Sequence, residues 1–362
     1  MTKQYKPALK LAAIAATLFS GAAMAQSSVT LYGQADMFVG GVKAVGTGER
    51  AFKADSGGMQ TSYWGIKGSE DLGMGTKAIF DLNGFFRTDS GSMGRFNGDS
   101  MFSRNAFVGL QNDRYGSLKL GRNTTPYFVS TILFNPLVDS YVFSPMIFHT
   151  YFPTASGAVY DPGIIGDSGW NNSLVYSTPN FGGLTANVIY AFGESAGNNS
   201  KNKWGGNLTY FSGNLAATVA FQQVKFDSAP FDLTNQTTNA NLTGFTKQSA
   251  VQAGVTYDFK IVKAFLQGQY IKTDVNANTF GDIKHIDGQA GVSVPVGAGN
   301  VLASYAYGRV LNEVSSIKRN TFALAYDYNL SKRTDVYAAY YYDKVSGIEH
   351  GDSFGVGVRH KF

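Results

Sequence analysis

The chain ends with the segment Asp352-Ser-Phe-Gly-Val-Gly-Val-Arg-His-Lys-Phe362, in which apolar and polar side chains alternate. In an extended strand, alternate residues point to opposite faces. One face would carry Phe354, Val356, Val358 and Phe362, and the other Gly355, Gly357, Arg359 and Lys361. A strand of this kind suits the wall of a transmembrane barrel better than a soluble sheet. The segment therefore predicts the last strand of an all-β, antiparallel transmembrane barrel.

The amino-terminal 25 residues have the features of an export signal. Three lysines precede an apolar run over 11–23, and Ala23 and Ala25 supply the small residues of a signal-peptidase site. We expect cleavage after Ala25, which leaves 26–362 as a single barrel domain. The apolar run is too short to span a membrane, and no later stretch of about 18 apolar residues occurs. The sequence therefore argues against a helical membrane protein.

The composition agrees with a barrel and argues against nucleic-acid binding. The formal charge of +5 falls to +2 once the three signal lysines are removed, so the basic balance belongs mostly to the signal. The chain has no cysteine, so an exported protein of this length must hold together without disulfides. A closed barrel can do so through backbone hydrogen bonds. The 21 Tyr, 27 Phe and 43 Gly suit many strands with aromatic girdles and tight turns.

Period-two patterns and turn residues divide the chain into sixteen candidate strands. We predict them near 28–42, 61–70, 74–87, 102–113, 116–123, 170–178, 183–193, 202–212, 214–224, 247–259, 261–273, 284–296, 299–309, 318–330, 332–344 and 351–362. Short turns alternate with eight longer loops, predicted at 43–60, 88–101, 124–169, 194–201, 225–246, 274–283, 310–317 and 345–350. An even number of strands places both chain ends on the same side of the membrane.

The faces of individual strands can be assigned from the same alternation. In the strand over 318–330, Phe322, Leu324 and Tyr326 would face lipid, whereas Thr321 and Asp327 would face the lumen. Sixteen strands enclose more space than small lumen side chains can fill. We therefore expect a barrel that holds water.

The residues also resemble a known family. The segments that carry the resemblance are Ser28-Val-Thr-Leu-Tyr-Gly33, Trp64-Gly-Ile-Lys-Gly-Ser-Glu-Asp-Leu-Gly73, Arg104-Asn-Ala-Phe-Val-Gly-Leu110, Gly116-Ser-Leu-Lys-Leu-Gly-Arg122, Asn172-Ser-Leu-Val-Tyr-Ser-Thr-Pro-Asn-Phe-Gly-Gly183 and the terminal Phe362. In this order they resemble the Gram-negative general porins, which are trimeric sixteen-stranded barrels, over nearly the whole mature length.

The resemblance implies a water-filled homotrimeric channel in the Gram-negative outer membrane. Small hydrophilic solutes and ions would diffuse through it passively, with no catalytic step and no obligatory cofactor. Its other partners would be outer-membrane lipid, lipopolysaccharide and the assembly machinery, which would recognise Phe362. The third loop would fold into the barrel and form a constriction opposite a ladder of basic residues.

The third loop, predicted at 124–169, is the longest connection and is acidic. No Lys or Arg occurs between Arg122 and Lys201, whereas Asp139, Asp161 and Asp167 lie in the loop. Folded inward, these carboxylates would oppose lumen cations across a narrow gap. The alternative is a solvated acidic surface loop.

The basic ladder departs from the family pattern. Its usual positions map onto Gln34, Tyr63, Arg104 and Ser177, of which only Arg104 is charged. Other cations with lumen parity either relocate the positive wall or merely solvate the lumen. The candidate constriction residues are Arg104, Arg122, Lys67, Lys77, Arg87, Asp139, Asp161 and Tyr63. With a depleted ladder opposite an acidic loop, we expect a slight preference for cations.

The third loop is also rich in apolar residues, among them Tyr127, Phe134, Phe143 and Phe152. The simpler interpretation is that they pack the loop against the inner wall. The alternative is that some line the constriction and favour aromatic or amphipathic solutes.

Enzyme functions lack support in the sequence. The four histidines, His149, His285, His350 and His360, lack zinc-ligand spacing and an HExxH motif. A phospholipase pairing of His149 with Ser144 has no motif behind it. Two alternatives to a general porin remain, a solute-specific channel with a binding site at the constriction and a surface adhesin with long loops such as 225–246.

Overall fold

The computed structural model describes residues 28–194, 196, 201–225, 245–276 and 280–362. The predicted signal peptide, 1–25, and most of the predicted loop 225–246 lie outside the described residues. None of the helices in the described ranges is long and apolar enough to cross a membrane.

One antiparallel sheet of 17 strands dominates the described structure. Its strands are β1 (Ser28–Lys43), β2 (Ala51–Ser56), β3 (Tyr63–Gly73), β4 (Thr76–Phe85), β5 (Asn105–Asn112), β6 (Gly116–Thr124), β9 (Gly169–Ser177), β10 (Leu184–Ala191), β11 (Lys203–Ser212), β12 (Leu215–Lys225), β13 (Phe245–Asp258), β14 (Lys263–Val275), β15 (Ile283–Val296), β16 (Gly299–Leu311), β17 (Ser316–Asn329), β18 (Thr334–Val345) and β19 (Gly351–Lys361). Between β6 and β9 lie two helices and a small hairpin, namely α1 (Pro126–Leu133), α2 (Pro145–Tyr151), β7 (Thr154–Ser156) and β8 (Val159–Asp161).

The sheet closes on itself, because the first strand pairs with the last. β1 and β19 are in antiparallel register from Gln34 opposite Lys361 to Lys43 opposite Asp352. The pairing continues past β19, where the N–H of Phe362 donates to the carbonyl of Gly33 at 3.0 Å and the N–H of Gly33 donates to the Phe362 oxygen at 3.1 Å. The terminal segment therefore closes the barrel, as the sequence predicted.

The barrel has sixteen strand positions because β2 and β3 share one of them. β2 pairs with Met37–Val42 of β1, and β3 pairs with Ser28–Gln34 of the same strand. The predicted loop over 43–60 is therefore wrong over residues 51–56, which return to the wall as β2. The predicted number of strands is confirmed.

Asp36 of β1 stabilises the break between β2 and β3, which covers residues 57–62. Its Oδ2 atom accepts the backbone N–H groups of Met59 at 3.0 Å and Gln60 at 2.8 Å. The Tyr337 hydroxyl donates to Oδ1 at 2.5 Å. These bonds satisfy amides that have left the strand ladder, so the wall can open locally without unpaired backbone groups.

The predicted faces are confirmed on the barrel wall. In β17, Leu324 is 45% exposed on the outside, whereas Thr321 and Ala323 are fully buried on the inside. Val356 and Val358 of β19 are 56% and 46% exposed, whereas Arg359, which points to the opposite face of the strand, is buried. The barrel thus has an apolar outer surface and an inner surface with most of the polar side chains.

Two glycines of the inner wall make room for the segment between β6 and β9. A Cβ atom on Gly254 of β13 would lie 2.9 Å from the Phe134 ring, and one on Gly291 of β15 would lie 2.7 Å from Pro136. Real side chains do not approach so closely, so the wall has notches at these points that fit the inserted segment.

We expect Gly254→Val to displace that segment, because the added side chain would overlap Phe134. Overpacking of this kind costs about 1–3 kcal/mol. The variant should unfold at lower urea concentration and show faster protease cleavage within 125–168. The matched control is Gly268→Val on β14, an outward position where the nearest heavy atom would be 3.4 Å away. Equal unfolding midpoints for the two variants would contradict the prediction.

Candidate functional site

The third loop, residues 125–168, lies against the inner wall of the barrel. Its helix α1 begins at Thr125, whose hydroxyl accepts the N–H of Phe128 at 3.1 Å. Side chains of the wall then bind its backbone. Asn207 donates to the carbonyl of Pro126 at 3.1 Å, and Gln252 donates to that of Tyr127 at 2.8 Å. Wall amides thus satisfy carbonyl groups of the loop in the barrel interior.

The second half of the loop attaches further round the same wall. Ser144 caps helix α2 by accepting the N–H of Ile147 at 3.4 Å. At the end of that helix, Arg319 of β17 donates to the carbonyl of Phe148 at 3.0 Å. Asp343 of β18 fixes the same guanidinium at 2.7 Å. The loop is therefore held along strands β11 to β18.

A third attachment joins the middle of the loop to the break in the wall. The Ser140 hydroxyl donates to the carbonyl of Gly58 at 2.6 Å, and Gln60 donates to Asp139 at 2.8 Å. Residues 57–62 lie beside β1 and β3, and in the closed sheet only β18 and β19 separate them from β17, so the attachments of the loop continue round the wall from β11 to β1.

Most apolar residues of the loop serve this packing. Tyr127, Phe134, Phe143, Met146 and Ile147 are fully buried. This burial favours the interpretation that the aromatic residues pack the loop against the wall. Three others, Tyr141, Val142 and Phe152, line a cavity beside the loop.

Open space lies beside β1 and β3–β6, in two cavities. The loop-side cavity, of about 340 Å³, lies between the third loop and the 86–104 connection, and Asp55, Arg87 and Arg95 line it. The turn-side cavity, of about 660 Å³, lies near the short turns, and its lining includes Lys67 and Lys119.

Along the chain Tyr63 lies between Thr61, which lines the loop-side cavity, and Lys67, which lines the turn-side cavity, so Tyr63 and the Arg104 side chain stacked on it lie between the two. The Arg104 guanidinium is 4.0 Å from the centre of the Tyr63 ring, a cation–π distance. Tyr63 in turn meets the ring of Tyr32 edge-on, with ring centres 6.1 Å apart. Tyr32 donates to Asp81 at 2.6 Å. Both Arg104 and Tyr63 are half-buried, so each keeps a surface toward the space.

Asp139 approaches this place from the loop, but it is buried. Burial raises the pKa of the Asp139 carboxyl, against the lowering effect of the hydrogen bond from Gln60. Gln60 also accepts a hydrogen bond from Arg359 at 2.8 Å. Asp139 is therefore linked through Gln60 to a cation of the last strand, and it does not stand free in the gap.

Asp167 at the end of the loop is held by two arginines. Arg95 contacts its carboxylate at 2.7 Å and Arg122 at 2.9 Å. Burial alone would raise the pKa of Asp167, but the two guanidinium groups lower it to about 2. Arg122 also donates to Asn171 at 2.7 Å. Arg122 thus anchors the loop and is buried.

The other predicted constriction residues are dispersed. Arg87 lines the loop-side cavity and donates to Asn97 at 2.8 Å. Lys67 is exposed in the turn-side cavity, with its Nζ atom 4.7 Å from the Tyr32 ring centre. Lys77 is exposed on β4, one residue from the turn that joins β3 to β4. Asp161 is buried on β8, 3.0 Å from His285, and so faces the wall.

The sequence analysis did not identify two further residues that line the cavities, Lys119 and Arg95. Lys119 of β6 lines the turn-side cavity, with its Nζ atom 5.0 Å from the Phe107 ring centre. Its parity with Ser117 on β6 could have identified it. Arg95 binds Asp167 across the loop-side cavity, and no local sequence signal announces that pairing.

The chain is similar to known proteins over nearly its whole length. The family model described as Gram-negative porin matches residues 11–347. Outer membrane porin protein 32 of Delftia acidovorans is 32% identical to this chain. The alignment covers 97% of this chain and 99% of that protein. An outer membrane porin of Bordetella pertussis is 28% identical with the same coverage.

Solved structures give the same picture. The anion-selective porin from Comamonas acidovorans superimposes with a TM-score of 0.74 at 27% identity, covering 93% of this chain and all of that one. OmpT of Vibrio cholerae gives a TM-score of 0.67 at 15% identity, over 93% of this chain and 98% of that one, which supports the fold alone.

We expect Asp167→Asn to destabilise the protein at neutral pH, because it removes the carboxylate that the buried guanidinium groups of Arg95 and Arg122 share and leaves only Asp99 paired with Arg95. Breaking a buried pair costs about 3–5 kcal/mol. The folded-state pKa lies below the unfolded value of about 3.9, so this stabilisation is present above that value and is lost as the pH falls toward 2.

The measurement is heat unfolding in detergent at several pH values. The gap in Tm between the unmodified chain and Asp167→Asn should be constant from pH 7 to about pH 5 and shrink below about pH 4. Asp89→Asn, at an exposed position of the 86–104 connection, is the control and should leave Tm unchanged. A difference in Tm that widens in acid would contradict the proposed role of the Asp167 carboxylate.

Proposed function

Because the chain belongs to the Gram-negative porin family and forms an outer-membrane channel for solute diffusion, we propose that it is a general porin that prefers anions. The observation that carries the proposal is the different state of the charges in the passage. Cations of the barrel wall face open space, whereas the carboxylates of the third loop are buried or paired.

The cations belong to one side of the barrel. Arg104 lies between the two cavities, and Lys67 and Lys119 line the turn-side cavity below it. Asp81 and Asp113 also line this cavity and offset part of the charge, and Asp81 accepts hydrogen bonds from the Tyr32 hydroxyl and from Asn83 at 2.9 Å. In a narrow passage such charges are less screened than on an open surface. Anions would therefore concentrate there.

The loop carboxylates do not stand free in the gap. Asp139 is buried and accepts a hydrogen bond from Gln60. Asp161 lies against His285, and Asp167 binds two arginines. The proposal thus departs from the slight cation preference expected from the sequence, which counted these carboxylates without their partners.

The relatives lend support. The Comamonas structure, at 27% identity, is of a porin described as anion-selective. We further propose a homotrimer, contact with lipopolysaccharide and recognition of Phe362 by the assembly machinery. These three proposals, like cleavage of the signal after Ala25, rest on membership of the family.

A solute-specific channel is the second candidate, and one feature favours it. The loop-side cavity has both aromatic and cationic lining, since Tyr141 and Phe152 lie there with Arg87. Such a surface could hold an aromatic carboxylate by stacking and charge. Flux that saturates with one solute, or current that one solute blocks, would favour this candidate over the general porin.

The test of the proposed preference is a single-channel recording in a planar bilayer under a potassium chloride gradient. We expect large open steps and a reversal potential on the anion side. Arg104→Ala should shift that potential toward cations. Loss of about 1 kcal/mol of attraction, as for charges about 4 Å apart in water, corresponds to a roughly fivefold lower local concentration of anions, so the ratio of anion to cation permeability should fall at least about fivefold.

Arg114→Ala is the matched control, because Arg114 lies in the exposed turn between β5 and β6. It should keep the reversal potential of the unmodified chain. A cation-side potential for the unmodified chain would overturn the anion preference. An unchanged potential in Arg104→Ala would remove that residue from the constriction.

Mild acid should increase the anion preference, because the raised pKa of Asp139 makes it take up its proton at a higher pH than an ordinary aspartate. Gln60, Arg104 and Arg359 surround this carboxyl, so its protonation leaves the cations less compensated. Asp139→Asn should show the higher preference already at pH 7.

The measurement is the reversal potential between pH 7 and pH 4.5 for both proteins. The change on acidification should be smaller in Asp139→Asn than in the unmodified chain, whereas Asp89→Asn should respond like the unmodified chain. Identical pH responses in all three would show that another group titrates.

A further inference from the structure

Two histidines and an aspartate meet where the third loop touches the wall. His285 and Asp287 are two residues apart on β15 and so point to the same face of the strand. Helix α2 brings His149 to them from the loop. One ligand atom from each of the three lies within 4.8 Å of the others. All three side chains are buried.

The distances within this cluster suit a tetrahedral metal site. The Nδ1 atom of His149 lies 3.0 Å from Oδ1 of Asp287, and Nε2 of His285 lies 3.2 Å from the same oxygen. Zinc bonds to nitrogen and oxygen of about 2.0–2.1 Å place neighbouring tetrahedral ligands roughly 3.3 Å apart. An ion could therefore be bound with small movements of the side chains.

The outer nitrogens of both histidines have partners of the kind that orient metal ligands. Nε2 of His149 lies 2.7 Å from the Thr321 hydroxyl, which itself donates to Asp343 at 3.0 Å. Nδ1 of His285 lies 3.0 Å from Asp161, although its N–H direction is poor for a hydrogen bond. Histidine ligands of zinc commonly hold their second N–H against a carboxylate or another acceptor.

The partners of Nε2 are consistent with one tautomer of His149. When the Thr321 hydroxyl donates its hydrogen to Asp343, it accepts from Nε2–H of His149. In the neutral ring, Nδ1 then presents a lone pair to the carboxylate of Asp287. His285 is in the same position if its proton lies toward Asp161. In this tautomer two lone pairs and a carboxylate converge, and a cation between them, either added protons or a metal ion, would remove the repulsion.

We propose that His149, His285 and Asp287 bind a transition-metal ion of the zinc type, with the fourth position taken by water. The imidazole ligands favour zinc over magnesium or calcium, which prefer oxygen. Since His149 belongs to the loop and the other two ligands to β15, the ion joins the third loop to the barrel wall. The inference stands apart from the anion preference proposed above.

The experiment uses the full chain, refolded in detergent and stripped with a chelator. Because the site is buried, zinc is supplied both to the folded protein and during refolding. Competition with a chromophoric zinc indicator should give one zinc ion per chain, and bound zinc should raise Tm. Cobalt supplied in place of zinc should give the visible absorption of a tetrahedral site. Magnesium and calcium should not displace zinc.

His285→Ala and Asp287→Asn should weaken zinc binding at least about 10-fold, as loss of a ligand or its orienting partner does. His350→Ala and His360→Ala are the matched controls, because both histidines are exposed. Circular dichroism and heat-modified gel mobility would show that each variant has folded. The cobalt spectrum of the unmodified chain keeps the test decisive even if a variant fails to fold.

Three outcomes would overturn the proposal. The first is no zinc uptake by the unmodified chain in either protocol. The second is uptake that persists in the His285 and Asp287 variants or is lost in the controls. The third is an octahedral cobalt spectrum, or displacement by magnesium, which would point to carboxylates on the surface.

Discussion

The pairing of β1 with β19 is the constraint on which the rest of the structure depends. Once the sheet is closed, the backbone groups of its first and last strands are paired, and the side chains separate into an outer apolar face and an inner polar face. The inner face then needs partners of its own. Water provides them on one side of the barrel, and the third loop provides them on the other, through amides such as Gln252 and Gln267.

The attachments of the loop have different chemistry. Neutral amides of the wall bind α1, Arg319 and Asp287 bind α2, Gly58 and Gln60 bind the middle of the loop, and two arginines bind Asp167 at its end. The charges used in this way are removed from the passage. The same folding step that narrows the barrel therefore also determines which charges its solutes meet, so selectivity depends on the pairing of residues as much as on their number.

The sequence predicted the strands and their faces well, because period-two alternation is a local property that the barrel preserves. Leu324 and Thr321 lie where the alternation placed them. The return of 51–56 to the wall was not foreseen, since it depends on Asp36 meeting amides more than twenty residues away. The site was predicted less well for the same reason. Arg104 and Tyr63 lie together, but the partners of Asp161 and the meeting of His149 with His285 arise only once the loop is folded, and spacing along the chain does not encode them.

The position of the loop against β11–β17 also divides the inside of the barrel into a buried region and an open region. Inward positions on that side, such as Gln267, are as dry as the core of a globular protein, whereas inward positions on the other side, such as Lys67, are wet. Inward-facing positions in the strands are therefore under different constraints on the two sides of the barrel. On the dry side a change of volume or of hydrogen bonding acts as a core mutation, and on the wet side the sequence is free to drift in size and charge. The sequences of related chains should therefore diverge faster at the open inward positions than at the positions of β11–β17 that contact the loop. One barrel can in this way acquire new permeabilities without a change of fold.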